Sequence, residues 1–215
     1  MSRTTDSGTA LIYVHGLWMS GAESVLLRRR LTRERGYRVQ VFRYASRTAP
    51  IDRLAAALHE TIEATAAARV HLVGHSMGGL VILRCLERYR VAAPGRVVFL
   101  GTPATGSEAA RHVGQWRWGR RLVGVAIAQE LLTEQRRHWS CQRDLGIIAG
   151  TSPVGLAALL VKFREDNDGV VTVRETALPG AKAFLRLRAS HSGMLFSPRV
   201  AREVGSFLEH GSFGR

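Results

Sequence analysis

The segment Gly74-His75-Ser76-Met77-Gly78-Gly79 carries the clearest chemistry in this chain. A serine two positions from a glycine on either side fits the G-x-S-x-G pattern, in which a sharp strand-to-helix turn lifts a nucleophilic hydroxyl clear of a sheet. A serine hydroxyl is too weakly acidic to attack unaided and needs a base, and the base needs an orienting carboxylate. Eight histidines are available. His71 and His75 are four apart, but one falls in a strand and the other in the turn. They share no helix face, so no metal site is expected, and the chemistry calls for no cofactor. His15 lies far upstream, His59 on a helix, His112 and His138 in an irregular zone, and His210 near the C-terminus. His191, in Ser190-His191-Ser192-Gly193, sits between the last strand and the last helix and is the expected base. Asp166 and Asp168 precede it and complete the chain order serine, acid, histidine. Spacing does not separate these two, and Glu165 is an outside candidate. Asp144 lies before its strand, at the wrong end of a sheet.

Attack on a carbonyl generates an oxyanion that needs N–H donors. The N–H of Met77 opens a helix, where the first N–H groups lack intrahelical partners and the helix dipole favours negative charge. A second donor is expected from the loop Tyr13-Val14-His15-Gly16-Leu17-Trp18. Gly16 allows close backbone approach and Leu17 supplies the N–H. Gly16, Trp18 and His75 are the residues expected to touch substrate.

The elements that must hold these groups alternate. Short β-rich runs are read at Ala10–Val14, Arg38–Tyr44, Val70–Val73, Arg96–Leu100, Gly146–Ala149 and Phe184–Leu187. Helical patterns fall between them at Glu23–Arg35, stopped by Gly36, at Ile51–Ala68 and at Met77–Arg90, with a closing helix at Pro198–His210. Alternation of this kind predicts right-handed crossovers and an α/β fold of about six mostly parallel strands with helices on both faces. Ser76 and His191 then fall at the same, carboxyl edge of the sheet. No linker or repeat divides the 215 residues, so one domain is expected. The zone 103–139, with Trp116, Trp118 and Trp139 among arginines, is longer than one crossover needs and reads as a cap or lid.

Composition narrows the classes. The formal charge is +14, and all of the 31 basic residues except Lys162 and Lys182 are arginine. That bias suits a solvated basic face as well as an anion site, and no nucleic-acid motif uses it. The Arg/Trp segment 114–121 alone suits a lipid or anionic surface, with its tryptophans packed inward as the simpler arrangement. No apolar run is long enough to span a bilayer, and Met1–Ala10 lacks the apolar region of a secretory signal, so a cytoplasmic location is expected. Cys85 and Cys141 are too few for a disulfide framework.

These segments together resemble the α/β-hydrolases of the small bacterial lipase/esterase type. The likeness rests on Val14-His15-Gly16, on Gly74-His75-Ser76-Met77-Gly78-Gly79, on Asp168-Gly169-Val170-Val171, and on His191-Ser192-Gly193-Met194-Leu195-Phe196-Ser197. The last two are similar to the acid and histidine motifs of the minimal, lidless lipase A group. The resemblance implies a minimal α/β-hydrolase fold, Asp168 rather than Asp166 as the acid, Leu17 and Met77 as oxyanion donors, and a small acyl ester as substrate. Two features depart from that group: its members are secreted, and they have no counterpart of 103–139. The same triad also serves thioesterases and acyltransferases, and a basic surface-binding protein is the reading from another class.

Overall fold

The computed structural model describes residues 8–114, 137–155 and 163–214. Six strands form one sheet: β1 (Thr9–Val14), β2 (Arg38–Phe42), β3 (Arg69–His75), β4 (Val97–Leu100), β5 (Leu145–Gly150) and β6 (Ala183–Leu187). Their order across the sheet is β2-β1-β3-β4-β5-β6, and every neighbouring pair is parallel. The chain runs outward from β1 to β2, then crosses back over β1 to reach β3. The order therefore reverses between β1 and β3, and such a switch point opens a crevice at the carboxyl ends of the strands.

The core follows from strand alternation. On β1, Ile12 and Val14 face α2 (Ile51–Glu63) and α3 (Met77–Arg88), together with Leu54, Leu58, Leu80 and Val81. Leu11 and Tyr13 face the other side, where α1 (Val25–Arg35) and α6 (Pro198–His210) contribute Leu27, Leu31, Val204 and Phe207. Helices thus cover both faces, which is why the central strands read as continuous apolar runs rather than alternating ones. The short helices α4 (Glu108–Gly114) and α5 (Val173–Thr176) complete the described α-helices.

The expected elements are all present, with shifted ends that have local causes. Gly36 ends α1 in the left-handed conformation, at φ 71°. The first turn of that stretch is a separate 3-10 turn, Ala22–Ser24, because Glu23 turns back to accept from the N–H groups of Ser20 and Gly21. The alanine-rich helix stops at Glu63 rather than Ala68, since the N–H of Arg69 must reach the Gly8 carbonyl to align β3. Propensity cannot foresee that demand. β2 ends at Phe42, beyond which the Tyr44 hydroxyl donates to the His15 carbonyl at 2.5 Å. Helix α6 matches its expected range, capped by the Ser197 hydroxyl, which accepts from Val200 N–H, with Pro198 next and Gly211 at its end.

Helix α5 was not expected, although Thr172-Val173-Arg174-Glu175 is a capping-box sequence. The Thr172 hydroxyl accepts from Glu175 N–H, and the Glu175 carboxylate accepts from Thr172 N–H. Most of the expected cap, including Trp116, Trp118 and residues 115–121, lies outside the described residues. Trp139, at its far end, is a core residue: it is 5% exposed, packs edge-on against Phe99, and donates its indole N–H to the Arg143 carbonyl at 2.7 Å.

Candidate active site

Ser76 occupies the turn between β3 and α3 with φ 53° and ψ −125°, a backbone state that non-glycine residues rarely adopt. The surrounding glycines explain how it is held. A Cβ on Gly78 would fall onto the Val14 carbonyl, and one on Gly74 would lie 2.6 Å from Cα of Gly79. Only with hydrogen at these positions can α3 start directly against the ends of β1 and β3. Ser76 N–H donates to the Leu100 carbonyl at 2.9 Å, tying the turn to β4. Ser76 itself is partly exposed, whereas His75 and Met77 on either side are buried.

The expected base and acid meet at this edge. His191 follows β6 and Asp168 follows β5, and the Nδ1 of His191 lies 2.7 Å from Oδ2 of Asp168. His191 is 7% exposed and Asp168 1%. Oδ1 of Asp168 accepts from Val170 and Val171 N–H at 2.9 and 2.8 Å. The loop is stapled to the histidine by His191 N–H donating to the Asp168 carbonyl at 2.8 Å. A carboxylate so fully occupied has one orientation, and it places the His191 proton on Nδ1, leaving Nε2 as the basic nitrogen. Asp166, its rival, is exposed and ion-paired with Arg186, and Glu165 pairs with Arg174 at 2.9 Å, so neither faces the histidine.

Gly101 was missed by sequence reasoning. It follows β4 at φ 55°, and a Cβ there would sit 2.8 Å from Oδ2 of Asp168 and 3.1 Å from Nδ1 of His191. Any side chain would part the pair, and the signal available was a glycine directly after a strand at the functional edge.

The loop after β1 also arrives where expected. A Cβ on Gly16 would be 3.2 Å from Cβ of Ser76, so its backbone borders the serine. His15 is buried, stacked on Tyr44 at 4.2 Å, and its Nδ1 donates to the Gly16 carbonyl at 2.9 Å. The N–H of Leu17 shares a peptide plane with that carbonyl and points the opposite way. Met77 N–H opens α3 beside the serine. Trp18 is 54% exposed at φ 64°.

His75, expected to touch substrate, is fully buried in this structure. Its Nε2 donates to the His191 carbonyl at 3.0 Å, and the two rings lie 4.7 Å apart. Burial first, and the adjacent His191 second, hold the His75 imidazole down to about 3, so it stays neutral beside the His191 ring. No group of three or more His, Cys, Asp or Glu side chains suited to a metal occurs among the described residues.

A parallel sheet with helices on both faces and a serine on a strained turn at its switch point defines the α/β-hydrolase fold. The chain belongs to the alpha/beta hydrolase family, whose model matches residues 11–203. Among solved structures it is similar to the mature form of Bacillus licheniformis lipase BlEst2, with a TM-score of 0.75, 18% identity, and coverage of 95% of this chain and 92% of that one. It is also similar to the metagenomic carboxyl esterase MGS0156, with a TM-score of 0.65, 22% identity, and coverage of 86% and 65%. Carboxylesterase CesB (YbfK) from Bacillus subtilis gives 0.60, 14%, and 96% and 85%. A search of curated protein sequences finds no match. Among the described residues, no helix is long and apolar enough to cross a membrane.

Proposed function

We propose that this chain hydrolyses carboxylic esters through an acyl-enzyme on Ser76. The observation that carries this reading is the 2.7 Å contact of His191 Nδ1 with a saturated Asp168 carboxylate, beside a serine on a strained turn. Nε2 of His191 takes the Ser76 proton as Oγ attacks the ester carbonyl. The Asp168 carboxylate holds the ring in that tautomer and stabilises the imidazolium. The N–H groups of Leu17 and Met77 receive the oxyanion. His191 then returns the proton to the departing alkoxide. In the second half His191 takes a proton from water, the hydroxide cleaves the acyl-enzyme, and Ser76 recovers its proton as the acid leaves.

The α/β-hydrolase fold hosts other acyl chemistry, and it is the site that supports this reading. The test is hydrolysis of 4-nitrophenyl butyrate by the protein and by Ser76→Ala, with circular dichroism of both. Turnover falling by about 10⁴-fold or more in a folded variant is expected, because nucleophile removal leaves only binding and oxyanion effects. Undiminished hydrolysis by Ser76→Ala would remove the assignment.

A further inference from the structure

We infer that the mouth of this site selects esters bearing a carboxylate remote from the scissile carbonyl, with Arg47 as the group that receives it; the inference rests on the hydrolase reading above. Gly16 borders Ser76, and Trp18, two residues on, has its Cα no more than about 7 Å from that of Gly16. The positive φ of Trp18 turns the chain sharply here, and more than half of the side chain stands exposed. Arg47, from the loop between β2 and α2, lies over this indole with its Cζ 4.3 Å from the ring centroid.

Stacking engages the flat face of a guanidinium and leaves its N–H edge turned outward. Among the described residues no carboxylate or carbonyl accepts from Arg47, which is exposed. The arginine is thus held by an aromatic ring two residues along the chain from the glycine that borders Ser76, with its donors unspent. That is the arrangement a bidentate carboxylate needs. Arg43 adds to the same field, since its charge helps to lower the affinity of His15 for a proton. The nearby acid is Glu23, and its carboxylate is engaged by the N–H groups of Gly21 at 2.8 Å and Ser20 at 3.3 Å and by the Tyr13 hydroxyl at 3.3 Å. It forms no ion pair with either arginine. A neutral acyl chain gains only apolar contact from Trp18, whereas a chain ending in a carboxylate also gains the stacked cation.

The experiment compares 4-nitrophenyl hydrogen adipate with 4-nitrophenyl hexanoate, equal in chain length and different in terminal charge. At low salt the kcat/KM ratio should favour the adipate by about three- to tenfold, as expected for one charge pair in partly exposed surroundings. Arg47→Gln should bring that ratio close to one, and added salt should shrink it in the unsubstituted protein. Arg202→Gln, an equal loss of charge on the exposed side of α6, should leave the ratio unaltered. A ratio at or below one overturns the inference, as does a preference that survives Arg47→Gln or collapses equally in Arg202→Gln. If neither ester is turned over, the hydrolase reading fails, and binding decides the inference separately. Ser76→Ala protein would be titrated with methyl hydrogen adipate and methyl hexanoate by saturation-transfer NMR. Preferential adipate binding that Arg47→Gln abolishes supports it, and equal signals from the two overturn it.

Discussion

The distribution of burial around Ser76 assigns different work to neighbouring side chains. Asp168 spends one oxygen on Val170 and Val171 and the other on His191, so changing it alters a ring orientation rather than a surface charge. Asp168→Asn is expected to keep the fold, since an amide oxygen still accepts from the two N–H groups. Its amide nitrogen then faces Nδ1 and favours the wrong tautomer. On the proposed mechanism kcat should fall by roughly 10³- to 10⁴-fold with little change in KM, measured by steady-state kinetics. Retention of more than a tenth of the activity would contradict the role. On the same proposed mechanism His75 acts one step away, through its hydrogen bond to the His191 carbonyl. His75→Phe keeps the ring volume and removes the donor, so kcat should drop by a smaller factor, about tenfold, consistent with one lost neutral hydrogen bond to a positioned group.

At the scale of elements, the turn between β3 and α3 is the most constrained junction. Gly78→Ala forces a methyl group onto the Val14 carbonyl, which belongs to the backbone of a central strand and cannot rotate away. A loss of more than about 3 kcal/mol in urea unfolding is expected, beyond ordinary overpacking, together with loss of activity. By contrast, Ser197→Ala removes only the hydroxyl that caps α6 through Val200 N–H. It should cost about 1 kcal/mol and leave hydrolysis intact, because α6 braces the sheet from the face opposite α3. The pair separates damage to the site from damage to the scaffold. A second brace runs through Glu175, whose carboxylate accepts from the N–H of Thr172 and that of Glu108. It ties α4, which opens the segment beyond Gly114, to the loop that carries Asp168. Burial pushes this carboxyl above its usual range.

The whole molecule carries +14, and two buried histidines make its stability depend on pH. His71 is 2% exposed, and its Nδ1 accepts from Arg96 N–H at 2.9 Å. Burial, with Arg69 and Arg96 close by, brings it down to about 4, and His75 stands at about 3. Both are depressed below the unfolded value near 6.5, so the unfolded chain binds their protons first. Their contribution to stability is complete above about pH 6.5 and declines as the pH falls through the window from 6.5 to 4 for His71 and to 3 for His75. Each costs about 1.4 kcal/mol per pH unit within its window. Urea unfolding at pH 7 and pH 5 should therefore show a clear loss at the lower pH. His71→Gln, which keeps an acceptor for Arg96 N–H, should reduce that loss. Equal stability at the two pH values would contradict the neutral burial of both rings.

The order of strands and helices and the glycine-flanked turn around Ser76 are legible in the sequence alone. Each of these is written in short-range periodicity or in glycine spacing. Val70–Val73 before Ser76 and Met77 after it needed no tertiary information, and neither did the stop at Gly36. In the sequence, resemblance alone separates Asp168 from Asp166. Tertiary structure decided the rest, because the deciding contacts join residues far apart in the chain. It turned Asp166 out to Arg186 and Asp168 in to His191, brought Gly101 behind that pair, and buried His75 in a hydrogen bond to the His191 carbonyl. It also laid Arg47 over Trp18, a pairing that no local pattern records. Periodicity reports which face of an element is buried; the partner that face meets is fixed only when the strand order reverses between β1 and β3 and gathers these loops at one edge.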